Sequence, residues 1–279
     1  MNISKRYCFA ASSAVLLAIS AFSGMPARAQ QTRASLIALV TQVQKADYEG
    51  NRPALQRLYA DFAPFIADDK LASRAYYWRG FALWRRAING FNESADPKDL
   101  EKDLTQAIAD FKQSAEKDAG FVDAKAGTIA CLSNLIYLNM GNQERVQELI
   151  AQSSQLVKEA KAADADHPRL LWALGPIYWN IPAERGGGQE KSIAVNQQGL
   201  DSIRKRKAAA GVTADALEPS WGEPELLMSA AWANLNKFVP DVNAAEQNAR
   251  AALQIVPYWH YVRDILIPQI EKAKASAKP

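Results

Sequence analysis

The stretch that decides the fold runs from Trp172 to Arg204 and reads WALGPIYWNIPAERGGGQEKSIAVNQQGLDSIR. Its first part places large aromatic rings at helical spacing, which predicts an aromatic helix. Pro182 has no amide hydrogen and disfavours helix in the residue before it, so this helix should end by Ile181. The glycines that follow permit positive φ angles and allow the chain to reverse. The stretch therefore predicts a helix, a tight corner and a second helix.

The corner has two possible uses, which the residues after it help to separate. Three glycines before a helix can cradle an anion on free backbone amides. A phosphate-binding loop, however, requires GxxxxGK[ST] after a buried strand, whereas here Gln189, Glu190 and Lys191 follow the glycines and a helix precedes them. We favour a structural turn over an anion site. The turn residues are Pro182, Gly186, Gly187 and Gly188.

Apolar stripes at helical spacing recur through the rest of the chain, and no β-branched alternating run accompanies them. Between residues 76 and 88 two such stripes lie side by side, which predicts a helix buried on two faces. The first comprises Tyr77, Phe81, Trp84 and Ile88, and the second Tyr76, Gly80, Leu83 and Ala87. The sequence predicts an all-α protein built from stacked helix pairs.

The N-terminus has the pattern of a secretory signal. Basic residues at positions 5 and 6 precede an apolar stretch from Phe9 to Phe22, and Ala27-Arg28-Ala29 fits the small-x-small cleavage rule. The apolar stretch is too short for a permanent membrane anchor. We predict a signal peptide over residues 1–29, cleavage after Ala29, and one solenoid domain over residues 30–279 that is periplasmic or secreted.

The charge balance argues against nucleic acid as a partner. The chain has 33 basic and 30 acidic residues, and the basic excess is supplied by Lys5, Arg6 and Arg28 of the predicted signal. The mature chain is therefore neutral, and an overall electrostatic attraction to nucleic acid or to an anionic membrane is not expected. The basic run from Arg204 to Lys207 closes a helix, where cations complement the helix dipole.

Two segments fit the spacing of a 34-residue helix-turn-helix repeat, which places small, aromatic, small and proline residues at intervals of four, three and five. Small residues there let neighbouring helices approach, and the proline ends the second helix. One segment replaces the aromatic residue by a small one, and the other lacks the proline. The matching residues are Ala245, Ala249, Ala252 and Pro257 in one, and Ala107, Phe111, Ser114 and Ala119 in the other.

On these residues the chain resembles the tetratricopeptide-repeat (TPR) superfamily in a degenerate form, over most of residues 70–260. The resemblance implies a TPR-like solenoid of helical hairpins with an extended concave surface. The segment from Leu174 through Pro182 to Gly188 also resembles the LG…P…GG turn of exported bacterial TPR-like proteins. These include the T components associated with TRAP-type transporters.

Residues with catalytic or metal-binding chemistry are few and scattered. After signal cleavage Cys131 is the one remaining cysteine, and its apolar surroundings predict a buried thiol rather than a nucleophile. His167 and His260 are the two histidines, and the sequence shows no cluster of metal ligands around either. Ordinary packing at corners is the favoured interpretation. We therefore expect no enzymatic activity, no cofactor and no metal site.

The function predicted from these features is binding. We expect a protein or peptide partner on the concave surface of the solenoid. The alternative is capture of a small organic ligand, in a pocket lined by Trp78, Trp172 and Tyr178, for a transporter. Trp221 lies in a loop rich in proline and glycine, where it either contacts the partner or folds back onto the solenoid.

Overall fold

The computed structural model describes residues 27–210 and 215–276, and within these residues the secondary structure is helical, with eleven α-helices and no strand. The predicted all-α class is confirmed. Residues 1–26 of the predicted signal lie outside the described residues. The helices are α1 Ala27–Tyr48, α2 Arg52–Asp61, α3 Ala72–Asn92, α4 Pro97–Lys117, α5 Val122–Leu138, α6 Gln143–Asp164, α7 Pro168–Asn180, α8 Gln189–Ala210, α9 Glu223–Asn236, α10 Val242–Ile255 and α11 Ile267–Ser276. A 3-10 turn, Ala183–Arg185, precedes α8, and a π-helical turn, Tyr261–Leu266, leads into α11.

Several of these helices begin where a polar side chain can accept a hydrogen bond from a free amide of the first turn. The side chain of Asp96 accepts from the backbone N–H of Lys98, directly before the proline that opens α4. Asn142 and Asp241 cap α6 and α10 in the same way. Short polar residues between the apolar stripes thus set the helix starts.

Consecutive helices pair as hairpins, and α3 with α4 shows how. Arg79 contacts Asp110 at 2.5 Å, and Arg86 contacts Asp103. Seven residues forward on α3 correspond to seven residues backward on α4, so the two helices run antiparallel. Gly80 permits the close approach, because a Cβ atom there would lie 3.0 Å from the carbonyl oxygen of residue 107.

The odd-numbered helices from α1 to α9 form an inner row, in which α3 packs on α1 and α5, α5 on α7, and α7 on α9. The even-numbered helices pack on the outside of this row, each against its neighbours in sequence. This is the TPR-like solenoid of helical hairpins that the repeat spacing predicts. Neighbouring helices of the inner row run in the same direction, as the contacts between the C-terminal ends of α3 and α5 and of α7 and α9 show.

The row curves until its two ends meet. The Tyr48 ring at the end of α1 lies 5.1 Å from the Trp259 ring, and its hydroxyl donates a hydrogen bond of 2.6 Å to Glu225 at the start of α9. Gly50, which has a φ of 70°, brings the backbone against the ring of His260. The solenoid is therefore closed by contact between its first helix and its last hairpin.

Candidate functional site

The inner row buries a cluster of three tryptophans contributed by α3, α7 and the segment before α9. The rings of Trp84, Trp172 and Trp221 lie 5.5 to 5.7 Å apart in edge-to-face pairs. Their side chains are 0%, 9% and 3% exposed. Edge-to-face contacts at this spacing are favourable beyond the apolar area that they bury. We call these residues the buried tryptophan cluster.

Trp221 reaches the cluster because the segment of residues 215–222, here called the strap, lies across the inner row. The Trp78 indole N–H donates to the carbonyl oxygen of Leu217 at 2.8 Å, and the Trp221 indole N–H donates to the Tyr77 hydroxyl at 2.8 Å. Arg74 contacts Glu218 at 2.7 Å. The strap therefore covers the N-terminal part of α3 and the start of α7.

A buried ionic group fixes the far end of the strap. Arg169 at the start of α7 makes a two-pronged contact with Asp123 at the start of α5 and donates from Nη1 to the Trp221 carbonyl oxygen at 2.9 Å. The Nε2 atom of His167 lies 3.4 Å from Asp123. Burial alone would raise the pKa of the Asp123 carboxyl, but Arg169 and His167 reverse this effect and the pKa is lowered.

A second buried group holds the closure between α1 and α9. Arg85 Nε lies 2.8 Å from Asp47, and Glu225 accepts hydrogen bonds from the Tyr48 hydroxyl and from the backbone N–H of Gly222, each of 2.6 Å. Burial raises the pKa of Glu225, although Tyr48 and Arg85 favour its carboxylate form. No sequence pattern pointed to either ionic group, because their members come from distant helices.

The tryptophans proposed to line a ligand pocket are packed in the core instead. Trp78 is fully buried, and Trp172 and Trp221 belong to the buried tryptophan cluster. Of the two alternatives for Trp221, the structure has the one in which it folds back. Tyr178 lies apart from them, where its hydroxyl accepts a hydrogen bond from Lys161 at 2.9 Å and its ring faces Lys191 at 5.5 Å. The structure therefore does not bring Trp78, Trp172 and Tyr178 together around one pocket.

The glycine corner has the predicted geometry. α7 ends at Asn180, and Gly186 and Gly188 have φ angles of 83° and 95°. The backbone amides of Gly186, Gly187 and Gly188 donate within the corner, to the carbonyl oxygens of residues 183, 182 and 178 respectively. Amides that are already satisfied do not cradle an anion, so the observed corner agrees with a structural turn.

The remaining chemically active side chains are also engaged. Cys131 is fully buried, as predicted, and burial raises the pKa of its thiol well above the usual value. His260 Nδ1 lies 2.8 Å from Asp264, one helical turn ahead, and this i, i+4 spacing is the one signal of the pair in the sequence. Within the described ranges no group of three or more His, Cys, Asp or Glu side chains is arranged to hold a metal ion.

Four aromatic side chains at the C-terminal ends of the inner row stay accessible. Trp179 of α7 and Trp232 of α9 form an edge-to-face pair at 5.0 Å, and Phe91 of α3 and Tyr137 of α5 form another at 6.0 Å. Trp232 is 37% and Tyr137 65% exposed, whereas Trp179 and Phe91 are half-buried. We call these four residues the open aromatic face.

The open aromatic face continues the same helix faces as the buried tryptophan cluster. Phe91 follows Trp84, and Trp179 follows Trp172, by seven residues, which returns each side chain to the same side of its helix two turns on. The exposed loop of residues 237–240 adjoins α8, because the Phe238 backbone N–H donates to Gln189 at 2.8 Å. Among the described residues, the strap covers the aromatic side chains in the N-terminal part of α3 and α7 and leaves those at their C-terminal ends accessible.

No protein-family model matches the chain, and no curated protein matches it. Among solved structures, the HusA haemophore from Porphyromonas gingivalis has a TM-score of 0.56 and 20% sequence identity, covering 73% of this chain and 96% of that one. A thermophilic TPR protein from Thermus thermophilus has a TM-score of 0.43 and 16% identity, covering 80% and 99%. The likeness to the haemophore shows a shared fold. The comparisons give no support to the resemblance to T components.

Proposed function

We propose that this chain is a non-enzymatic binding protein that recognises a protein or peptide partner through the open aromatic face. The observation that carries the proposal is the accessible pair of Trp179 and Trp232 on the inner row. Tryptophan is enriched among the residues that dominate binding energy at protein interfaces, and accessible apolar patches mark interaction sites. An aromatic pair left uncovered on a solenoid fits this role.

The location differs from the one predicted from the sequence. A partner on the whole concave surface would have to displace the strap, whose Trp221 is buried among other tryptophans. The open aromatic face needs no such displacement, since its four side chains are already accessible. We therefore assign recognition to the C-terminal part of the inner row and a structural role to the N-terminal part.

Absence of catalysis is part of the proposal. The described histidines are each within 3.4 Å of an aspartate, and the buried acid Asp123 is held by Arg169. The contacts of Asp123 join the starts of α5 and α7, and the His260–Asp264 pair spans one helical turn. Catalysis, by contrast, needs convergent groups around a space for substrate. Among the described residues no helix combines the length and the apolar run needed to cross a membrane.

Export is also proposed, on sequence alone. We infer that residues 1–29 direct secretion and that cleavage after Ala29 releases a periplasmic or secreted chain beginning at Gln30. N-terminal sequencing of the protein recovered from a periplasmic fraction tests this. A chain that starts at Met1 in that fraction would contradict the cleavage.

A small organic ligand is the second candidate. The observation in its favour is the shared fold with a protein described as a haemophore. In this case the exposed rings of Trp179 and Trp232 would stack against a planar molecule rather than a polypeptide. The transporter-linked role that the glycine corner suggested belongs to this candidate.

Affinity capture from periplasmic extract separates the two candidates. The wild-type mature protein, a Trp232→Ala variant and a Tyr258→Ala control serve as bait, because Tyr258 is 43% exposed and lies outside the open aromatic face. Mass spectrometry then identifies captured proteins and small molecules. We expect one or more proteins that the wild type and the control retain and Trp232→Ala loses. A Trp232-dependent small molecule would support the second candidate, and identical captures by all three baits would reject both.

A further inference from the structure

The strap is a segment of the chain that is bound by the inner row, and its contacts show which groups the row can bind. Residues 215–222 form no helix and carry one proline, Pro219, and one tryptophan, Trp221. The Trp221 ring packs edge-to-face on Trp84 and Trp172, from α3 and α7. The strap backbone is held by an indole N–H, from Trp78 to Leu217. An aromatic side chain and a main-chain carbonyl are therefore the two features that are recognised.

The open aromatic face offers groups that can bind the same two features further along the inner row, namely aromatic rings and indole N–H donors. Trp179 lies two turns after Trp172 on α7, about 10 Å along the helix, and pairs with Trp232 at 5.0 Å. Within the described residues no hydrogen bond occupies the indole N–H of Trp179 or Trp232, so each can donate to a carbonyl oxygen as Trp78 does. The recognition surface that holds the strap thus continues beyond it without an occupant among the described residues.

We propose that the open aromatic face binds an extended segment of another polypeptide, with an aromatic side chain packed on Trp179 and Trp232 as Trp221 packs on Trp84 and Trp172. This inference rests on the proposed function and gives its partner a chemistry: non-helical backbone, an aromatic anchor and an accessible main-chain carbonyl. Continuity with the strap contact favours a polypeptide over a free planar ligand, because the bound example is itself a polypeptide.

The test uses the strap sequence as a separate peptide. A synthetic peptide ALEPSWGE, which repeats residues 216–223, is titrated into the full mature protein labelled with ¹⁵N at its tryptophans. Each of the seven indole N–H groups gives its own signal, assigned by single Trp→Phe variants. We expect the signals of Trp179 and Trp232 to shift while those of Trp78 and Trp221 stay in place. A matched peptide with alanine in place of tryptophan should cause no shift.

Two protein variants complete the design. Trp232→Ala should weaken peptide binding about tenfold, the effect of losing an aromatic contact worth about 1.4 kcal/mol. Tyr258→Ala should leave it unchanged. Shifts confined to Trp78 and Trp221 would mean that the peptide exchanges with the strap, and would overturn the inference.

Failure of the inference is separable from failure of the proposed function. Suppose that the peptide shifts none of the seven signals while periplasmic proteins are still captured through Trp232. The partner then does not resemble the strap, and only this inference is rejected. If Trp232-dependent binding is found for haem but not for the peptide, the polypeptide assignment is wrong. If neither capture nor titration depends on Trp232, both proposals fail together.

Discussion

The buried tryptophan cluster and the open aromatic face are two parts of one row of helices. Both use edge-to-face rings at 5 to 6 Å, and α3 and α7 contribute to both. What separates them is the strap, which covers the first and leaves the second accessible. Aromatic content on a helix face therefore does not distinguish a structural surface from a recognition surface. A covering segment from elsewhere in the chain decides the difference.

The largest effect is expected from removing the centre of the covered part. Trp221→Ala should lower the free energy of unfolding by about 3–5 kcal/mol, because it leaves a cavity among Trp84, Trp172 and Phe81. Urea denaturation followed by far-UV circular dichroism measures this. A loss below about 1 kcal/mol would mean that the strap does not seal the inner row.

A somewhat smaller effect is expected at the ionic group that holds the strap. Asp123→Asn should cost about 3 kcal/mol at neutral pH, because it leaves the buried Arg169 charge without its partner. Since the pKa of Asp123 is lower in the folded than in the unfolded chain, its ionised form stabilises the fold above the unfolded pKa of about 4. This contribution is lost as the pH falls below that value.

The pH dependence supplies the check. The difference in unfolding free energy between wild type and Asp123→Asn should shrink from pH 7 to pH 3. Asp69→Asn is the matched control, since the Asp69 side chain is 92% exposed and contacts Lys117 at the surface. An Asp123→Asn deficit that stays constant over this range would contradict the lowered pKa.

The glycine corner tests stability next to the open aromatic face, because it follows Trp179 closely along the chain. Gly187→Ala should cost about 1–3 kcal/mol, because its Cβ atom would lie 2.3 Å from the carbonyl oxygen of Ile181. Gly141→Ala is the control, as a Cβ there meets nothing within 4 Å. Thermal melting of both variants measures the difference. Equal melting temperatures would show that the corner relaxes without cost.

The smallest effect on stability is expected at the open aromatic face itself. A double-mutant cycle with Trp179→Ala, Trp232→Ala and the double variant should give a coupling energy of about 0.5–1.5 kcal/mol, the value typical of an aromatic pair. The same urea denaturation as for Trp221→Ala measures it. A coupling above about 3 kcal/mol would class the pair with the buried tryptophan cluster and weaken its assignment to recognition.

Features that depend on neighbours in sequence could be predicted. Pro182 ends α7 and two glycines adopt positive φ because proline and glycine act through their own backbone geometry. The small residues of the repeat, such as Ala249, are buried as the spacing requires. The helical class and the hairpin arrangement follow from the same local signals.

Features that depend on distant partners could not be predicted. Trp221 donates to Tyr77, 144 residues away, and no local pattern indicates that a loop tryptophan finds such a partner. From the sequence, Asp123 in the first turn of a helix is expected only to interact favourably with the helix dipole. In the structure it forms a buried ion pair with Arg169. Spacing places Trp172 and Trp179 on one face, but only the path of the strap makes one structural and the other accessible.

The contact between α1 and α9 has a consequence for how the chain unfolds. In an open solenoid each repeat touches only its neighbours, so terminal repeats can fray while the middle stays folded. Here the Tyr48–Glu225 hydrogen bond joins positions 177 residues apart, so the first helix of the row is held to α9. We expect a single cooperative transition in which amide hydrogen exchange in α1 is as slow as in α5. The closed solenoid should therefore unfold as one cooperative unit.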